Sequence, residues 1–69
     1  MKITFDKDAD AMYIELSNKE FAANKKIDDN TIIDLDADRN IIGIELLDVS
    51  KRIEKEVLSN ITVKNLVPV

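Results

Sequence analysis

The chain has 69 residues, enough for one domain, and a domain of that length buries only about 60% of the surface that its unfolded form exposes. It has no cysteine, which excludes disulfides and thiolate metal sites, and its 45% apolar and 35% charged residues are typical of a folded globular domain. The net charge of −4 argues against a nucleic-acid partner, because phosphate contacts need clustered Lys and Arg, and it favours a basic protein partner.

The first half of the chain predicts a hairpin and an edge strand. Ile3 and Phe5 alternate in a short strand over Lys2 to Phe5, and the aspartates that follow favour a turn. Ala11 to Leu16 then alternates, with Met12, Ile14 and Leu16 on one face. The sequence from 17 to 30 is harder to interpret, with an irregular edge strand around Ala23 to Asp28 and a turn after it.

The second half predicts a second hairpin and then a helix. Thr31 to Asp36 and Ile41 to Leu47 alternate on either side of a polar turn, and Ile42, Ile44 and Leu46 form the core face of the stronger strand. From Asp48 the period changes to that of a helix, because Val49, Ile53, Val57 and Ile61 recur at four-residue steps. Ser50 is the predicted N-cap and Asn60 the predicted end.

These elements predict one α+β domain over residues 1–69. Four to five antiparallel strands form a small meander, and a single C-terminal helix packs on one face. A last strand from Ile61 to Val67, stopped by Pro68, is an open alternative.

The other face of the predicted sheet is the candidate interface. A solvent face is usually more polar than this one, so part of it fits a contact surface with Tyr13 as the anchor. The alternative is that scattered exposed apolar residues are normal. Mid-strand Gly43 marks a bulge or leaves room for Tyr13 to lie across it. The candidate interface residues are Tyr13, Ile32, Ile41, Gly43 and Leu47.

One spacing matches a calcium loop. Oxygen-bearing side chains occupy its ligand positions at Asp34, Asp36, Asp38, Asn40 and Glu45. However, Arg39 stands where the sharp turn needs glycine, and the flanks alternate like strands, so a polar hairpin turn is favoured. Asp6, Asp8 and Asp10 likewise fit a solvated turn better than a cation site. We therefore expect no metal and no cofactor.

Catalytic residues are not evident. The chain has no histidine, and its serines lie in no recognisable nucleophile elbow. A single glycine cannot make a phosphate-binding loop. We expect a protein that is not an enzyme. No apolar run is long enough to cross a membrane and no signal-peptide core follows Met1, so we also expect no membrane partner and a cytoplasmic location.

Several short motifs resemble those of the YuzE-like family of small prokaryotic proteins, known as domain of unknown function 2283. They are Asp6, Asp10, Ala11 and Tyr13 in the first hairpin, Asp34-Leu35-Asp36, the segment Asn40 to Glu45, and Leu47-Asp48-Val49-Ser50-Lys51. The resemblance implies a compact α+β domain and no known activity, hence no catalytic residues. It also implies a context similar to that of antitoxins, which are often encoded beside small RNA-cleaving toxins.

Three functions follow as hypotheses. The first is an antitoxin-like interaction module that binds a small basic protein through the Tyr13 face or the exposed helix surface. The second is a homodimeric structural domain that self-associates through the same face. The third is a divalent-cation module that uses the turn from Asp34 to Asn40.

Overall fold

The fold of the computed structural model, which describes residues 1–64 and 67, is a five-stranded antiparallel sheet with two short helices after it. The strands are β1 (Lys2–Asp6), β2 (Ala11–Glu15), β3 (Ala23–Asp28), β4 (Thr31–Leu35) and β5 (Ile41–Leu46). This confirms the predicted α+β class and every predicted strand up to residue 47. In the part of the chain described, no helix is long and apolar enough to cross a membrane.

The strand order is β1-β2-β5-β4-β3. The strands therefore form a β1–β2 hairpin and a β3–β4–β5 meander, joined because β2 pairs with β5. The connection from β2 to β3 crosses to the far edge of the sheet, which places β5 at the centre and β3, as predicted, at an edge.

Aspartates make the turns. Asp6 Oδ1 accepts hydrogen bonds from the N–H groups of Asp8 (3.0 Å) and Ala9 (3.1 Å), and Asp28 Oδ1 accepts one from Asn30 (2.8 Å). Carboxylates that take up backbone donors in this way offer the chain an alternative to continuing a strand. Asp10 has a left-handed backbone (φ 52°), which an aspartate tolerates better than most residues.

Directly paired residues lie on the same face of a sheet, so the register defines two faces. We call the first the aliphatic face: Ile3, Phe5, Met12, Ile14, Lys25, Asp28, Thr31, Ile33, Ile44 and Leu46, with Leu16 next in the alternation of β2. We call the second the tyrosine face: Lys2, Thr4, Tyr13, Glu15, Asn24, Lys26, Ile32, Asp34, Gly43 and Glu45.

The predicted single helix is instead two short ones, α1 (Val49–Arg52) and α2 (Lys55–Leu58). Ile53 between them is extended (φ −131°, ψ 130°), and the chain changes direction there. The N-cap of α1 is Asp48, not Ser50. The four-residue stripe fails because Val49 is buried whereas Val57 and Ile61 are more than half exposed.

Contacts to the sheet's turns explain the break. The Val49 N–H donates to the Asp10 carbonyl oxygen (3.0 Å), and Arg52 Nη1 donates to the Asn30 carbonyl oxygen (2.8 Å). The first turn of helix is thereby tied to the loops at one end of the sheet. A short helix depends on such tertiary contacts more than on propensity, so they set its direction.

The predicted last strand is not found in the residues that can be assessed: Ile61 to Lys64 have no strand conformation. Pro68, predicted to stop it, lies outside the described residues.

The buried core is small. Among the described residues, the apolar side chains that are buried are Met12, Leu35, Ile42 and Val49. The helices lie at the end of the aliphatic face that carries Phe5 and Thr31. Arg52 Nη1 donates to Thr31 Oγ1 (3.2 Å), and Phe5 and Leu58 line an open cleft of about 620 Å³.

Candidate functional site

The centre of the tyrosine face is the ring of Tyr13 lying across Gly43. Tyr13 is on β2 and pairs with Glu45, and Gly43 is two residues along β5 from that pair. A Cβ added at Gly43 would meet the Tyr13 hydroxyl and lie 2.5 Å from Tyr13 Cζ and 2.9 Å from Cε1. Only glycine leaves room for the ring here, which confirms one of the two roles predicted for Gly43.

The Tyr13 hydroxyl reaches the next strand, where it hydrogen-bonds to Asp34 on β4. Asp34 pairs with Gly43, so the ring spans β2, β5 and β4. A tyrosine held in this way is a large contact group that loses little conformational freedom on binding.

Three carboxylates surround the ring. Burial is the largest of the effects that raise the pKa of the Tyr13 hydroxyl. The hydrogen bond to Asp34 and the negative charge of Asp34 raise it further, and the charges of Glu15 and Glu45 have smaller effects in the same direction. Each cause favours the protonated phenol, so the hydroxyl is a hydrogen-bond donor at neutral pH. The ring therefore lies in a region of negative potential.

A depression of about 280 Å³ adjoins the ring, with Thr4 and Glu45 among its walls. A partner's arginine or lysine could enter it, contact the ring through a cation–π interaction and pair with Glu45. Metal coordination is a poor fit, because among residues 1–64 and 67 no group of three or more His, Cys, Asp or Glu side chains is arranged to hold an ion.

The other predicted interface residues divide into two sets. Ile32 pairs with Glu45 on the tyrosine face, and Leu47 lies half-buried just beyond β5. Ile41 is separated from them, because a register shift at the end of β4 places it opposite Leu35. Its side chain is 48% exposed, and it does not continue the alternation along β5 that places Gly43 and Glu45 on the tyrosine face.

The residues with calcium-loop spacing do not converge. Asp36 is a buried turn residue, whose Oδ1 accepts from the N–H groups of Asp38 (2.9 Å) and Asn40 (2.9 Å) and whose Oδ2 accepts from Asn40 Nδ2 (3.3 Å). Asp34 and Glu45 lie on strands, with Asp34 bonded to Tyr13. The favoured interpretation, a polar hairpin turn, agrees with this geometry.

The acidity of Asp36 reflects these bonds. The N–H of Asn40 lowers the pKa of the carboxyl most, against an opposing effect of desolvation, and the Asn40 amide, the Asp38 N–H and Lys19 lower it further. Arg39, in the same turn, has a left-handed backbone (φ 66°), the conformation that favours glycine.

A contact that the sequence analysis does not predict joins the turn before β2 to the start of α1. Asp10 Oδ1 accepts from the Ser50 N–H (3.0 Å), and Asp10 Oδ2 accepts from Ser50 Oγ (2.7 Å). Ser50 is the second residue of α1, so Asp10 caps that helix from 40 residues away. The sequence signal for this contact is an aspartate in the first turn together with a serine at the start of the predicted helix.

A family model described as a protein of unknown function (DUF2283) matches residues 2–50, which span the sheet and the start of α1. No curated protein and no solved structure matches the chain. The narrower YuzE-like name stays a prediction.

Proposed function

The chain belongs to the DUF2283 family of unknown function, and we propose that it is a non-enzymatic module that binds a small basic protein through its tyrosine face. The observation that supports this proposal is the Tyr13 ring, which is packed on Gly43, bonded to Asp34 and flanked by Glu15 and Glu45. Tyrosine is among the residues enriched at interaction hot spots, and a ring that is already held in place loses little freedom on binding.

Charge gives the proposed partner its chemistry. The acidic chain would attract a basic surface and speed the encounter, and desolvated Arg–carboxylate contacts at the ring would slow dissociation. The family resemblance makes an RNA-cleaving toxin the first class of partner to consider, with this chain as its cytoplasmic antitoxin.

A catalytic role for Tyr13 is not favoured. A tyrosine nucleophile or base needs a lowered pKa, whereas burial and the carboxylates raise the pKa of this one. Histidine and cysteine are absent from the sequence.

The two alternatives have less support on this face. Self-association through the tyrosine face would bring the cluster of Glu15, Asp34 and Glu45 close to the same cluster of the second copy, which like-charge repulsion opposes. Cation binding would have to break the turn bonds of Asp36 and the bond between Asp34 and Tyr13. An unchanged unfolding temperature on adding calcium would eliminate it.

The test is affinity capture from lysate of the native host with tagged variants. We expect a small basic protein to co-purify in stoichiometric amount with the native chain at low salt and to be lost at high salt. It should also be lost with the double variant Glu15→Gln/Glu45→Gln. The matched control, Glu20→Gln/Glu56→Gln, removes the same charge from exposed positions away from Tyr13 and should retain it.

Equal recovery of a partner by the two double variants would contradict the proposal, because binding would then depend on net charge alone or on another surface. So would a native chain that retains no basic protein.

A further inference from the structure

The aliphatic face is too exposed for an isolated domain. Ile14, Ile33 and Ile44 form one row across three strands of the sheet interior, and each is only half-buried. At the edges of this face Ile3 is 39%, Phe5 44% and Leu16 39% exposed. In a completed two-layer domain such a row is covered by a second layer.

The total surface agrees with a missing layer. The chain exposes 5755 Å², whereas a compact monomer of this mass is expected to expose roughly 4,400 Å². The excess of about 1,400 Å² exceeds the roughly 800 Å² that each partner contributes to a stable interface. The exposed segment 61–64 contributes to this excess, and so does the flat shape of a molecule that measures 36 × 35 × 18 Å.

We propose that a second copy of this chain covers the aliphatic face and forms a homodimer whose two sheets pack face to face. The argument for a copy is charge. Across the paired rows of this face the charged residues are Lys25, opposite Ile33, and Asp28, opposite Thr31, and both lie on the edge strand β3. A chain of net charge −4 can therefore meet itself here without opposing carboxylates at the centre.

The dimer leaves the proposed function in place. Aliphatic faces that meet inside a sandwich leave both tyrosine faces outside, each free to bind a basic partner. The two proposals thus concern opposite faces of the sheet, and either can fail without the other.

The test compares two neighbouring residues of β1 that point to opposite faces. Ile3→Asp places a charge on the aliphatic face, and Thr4→Asp places the same charge on the tyrosine face. By light scattering and sedimentation equilibrium we expect the native chain and Thr4→Asp at twice 7.8 kDa. Ile3→Asp should dissociate at least about tenfold more readily, because its carboxylate would lose water in an apolar interface.

A native chain that stays monomeric at millimolar concentration would overturn the proposal. So would a folded Ile3→Asp variant that remains dimeric, or dissociation by Thr4→Asp alone, which would move the interface to the tyrosine face. If Ile3→Asp does not fold, the interface can be located in the native protein instead, from isotope-filtered NOEs between differently labelled copies in a mixed dimer. We expect intermolecular contacts at the methyl groups of Ile14, Ile33 and Ile44, and contacts at the Tyr13 ring instead would refute the assignment.

Discussion

The substitution Gly43→Ala tests whether the Tyr13 ring is held in place by packing. Alanine would normally stabilise a strand relative to glycine by about 0.5–1 kcal/mol. Here its Cβ would lie 2.5 Å from Tyr13 Cζ, so the ring must leave its position and its bond to Asp34. Overpacking costs about 1–3 kcal/mol, and a half-exposed hydrogen bond to a carboxylate adds about 1 kcal/mol. We expect a net loss of about 1–3.5 kcal/mol, or roughly 4–28 °C in Tm for a chain this short.

A mutant cycle separates the collision from other effects. Tyr13→Phe keeps the ring carbons that a Cβ would strike, so Gly43→Ala should remain destabilising in that background. Tyr13→Ala removes the ring, and Gly43→Ala should then be neutral or stabilising by about 0.5–1 kcal/mol. The measurement is thermal and denaturant unfolding of all six combinations by circular dichroism. Equal effects of Gly43→Ala in the native and Tyr13→Ala backgrounds would refute the reasoning.

Four further predictions concern the turns and the tyrosine. Asp10→Ala should cost about 1–2 kcal/mol, or roughly 4–16 °C in Tm, because α1 loses its cap and alanine tolerates the left-handed backbone less well than aspartate. Asp8→Ala, in the same turn, should leave Tm nearly unchanged, and a similar loss from both would contradict the assignment. Arg39→Gly should stabilise the chain by about 0.5–1 kcal/mol in denaturant unfolding, since glycine relieves the left-handed strain; a loss would show that the arginine side chain compensates for it. The folded pKa of Asp36 is lowered, so its contribution to stability is present above the unfolded pKa and is lost as pH falls through the folded value. The free energy of unfolding of Asp36→Asn should therefore fall less steeply than that of the native chain as the pH is lowered into the acid range, and an equally steep fall would refute this. The folded pKa of Tyr13 is raised, so stability should decline as pH rises above the ordinary tyrosine value, and ultraviolet titration of this single tyrosine should show ionisation above that of the unfolded chain.

The sheet was predictable because its information is local. Alternating apolar residues identify each strand, and Asp or Asn clusters mark each turn, so the bounds of β1 to β5 agree with the predicted bounds to within one residue. The position of Tyr13 over Gly43 was also within reach, because a mid-strand glycine near an aromatic residue limits the choices.

The remaining features depend on contacts between distant residues. The four-residue stripe after Asp48 predicted one helix, but the bonds from Asp10 and Asn30 fix the first turn and the chain redirects at Ile53. Simple alternation predicts Ile41 on the tyrosine face, but the register shift at the end of β4 interrupts that alternation. The bond between Asp34 and Tyr13 depends on the order of the strands, which places β5 between β2 and β4 and which local patterns do not predict.

The most direct test of the proposed function is an NMR titration of the isotope-labelled chain with an arginine-rich peptide. An equally long glutamate-rich peptide is the control. We expect the arginine peptide to shift the amide signals of Tyr13, Ile32 and Glu45, to lose affinity with added salt, and to bind Glu15→Gln/Glu45→Gln several-fold more weakly than Glu20→Gln/Glu56→Gln. Shifts confined to the helices or to β3, or equal affinity for the two double variants, would contradict the assignment of the tyrosine face as the binding surface for a basic partner.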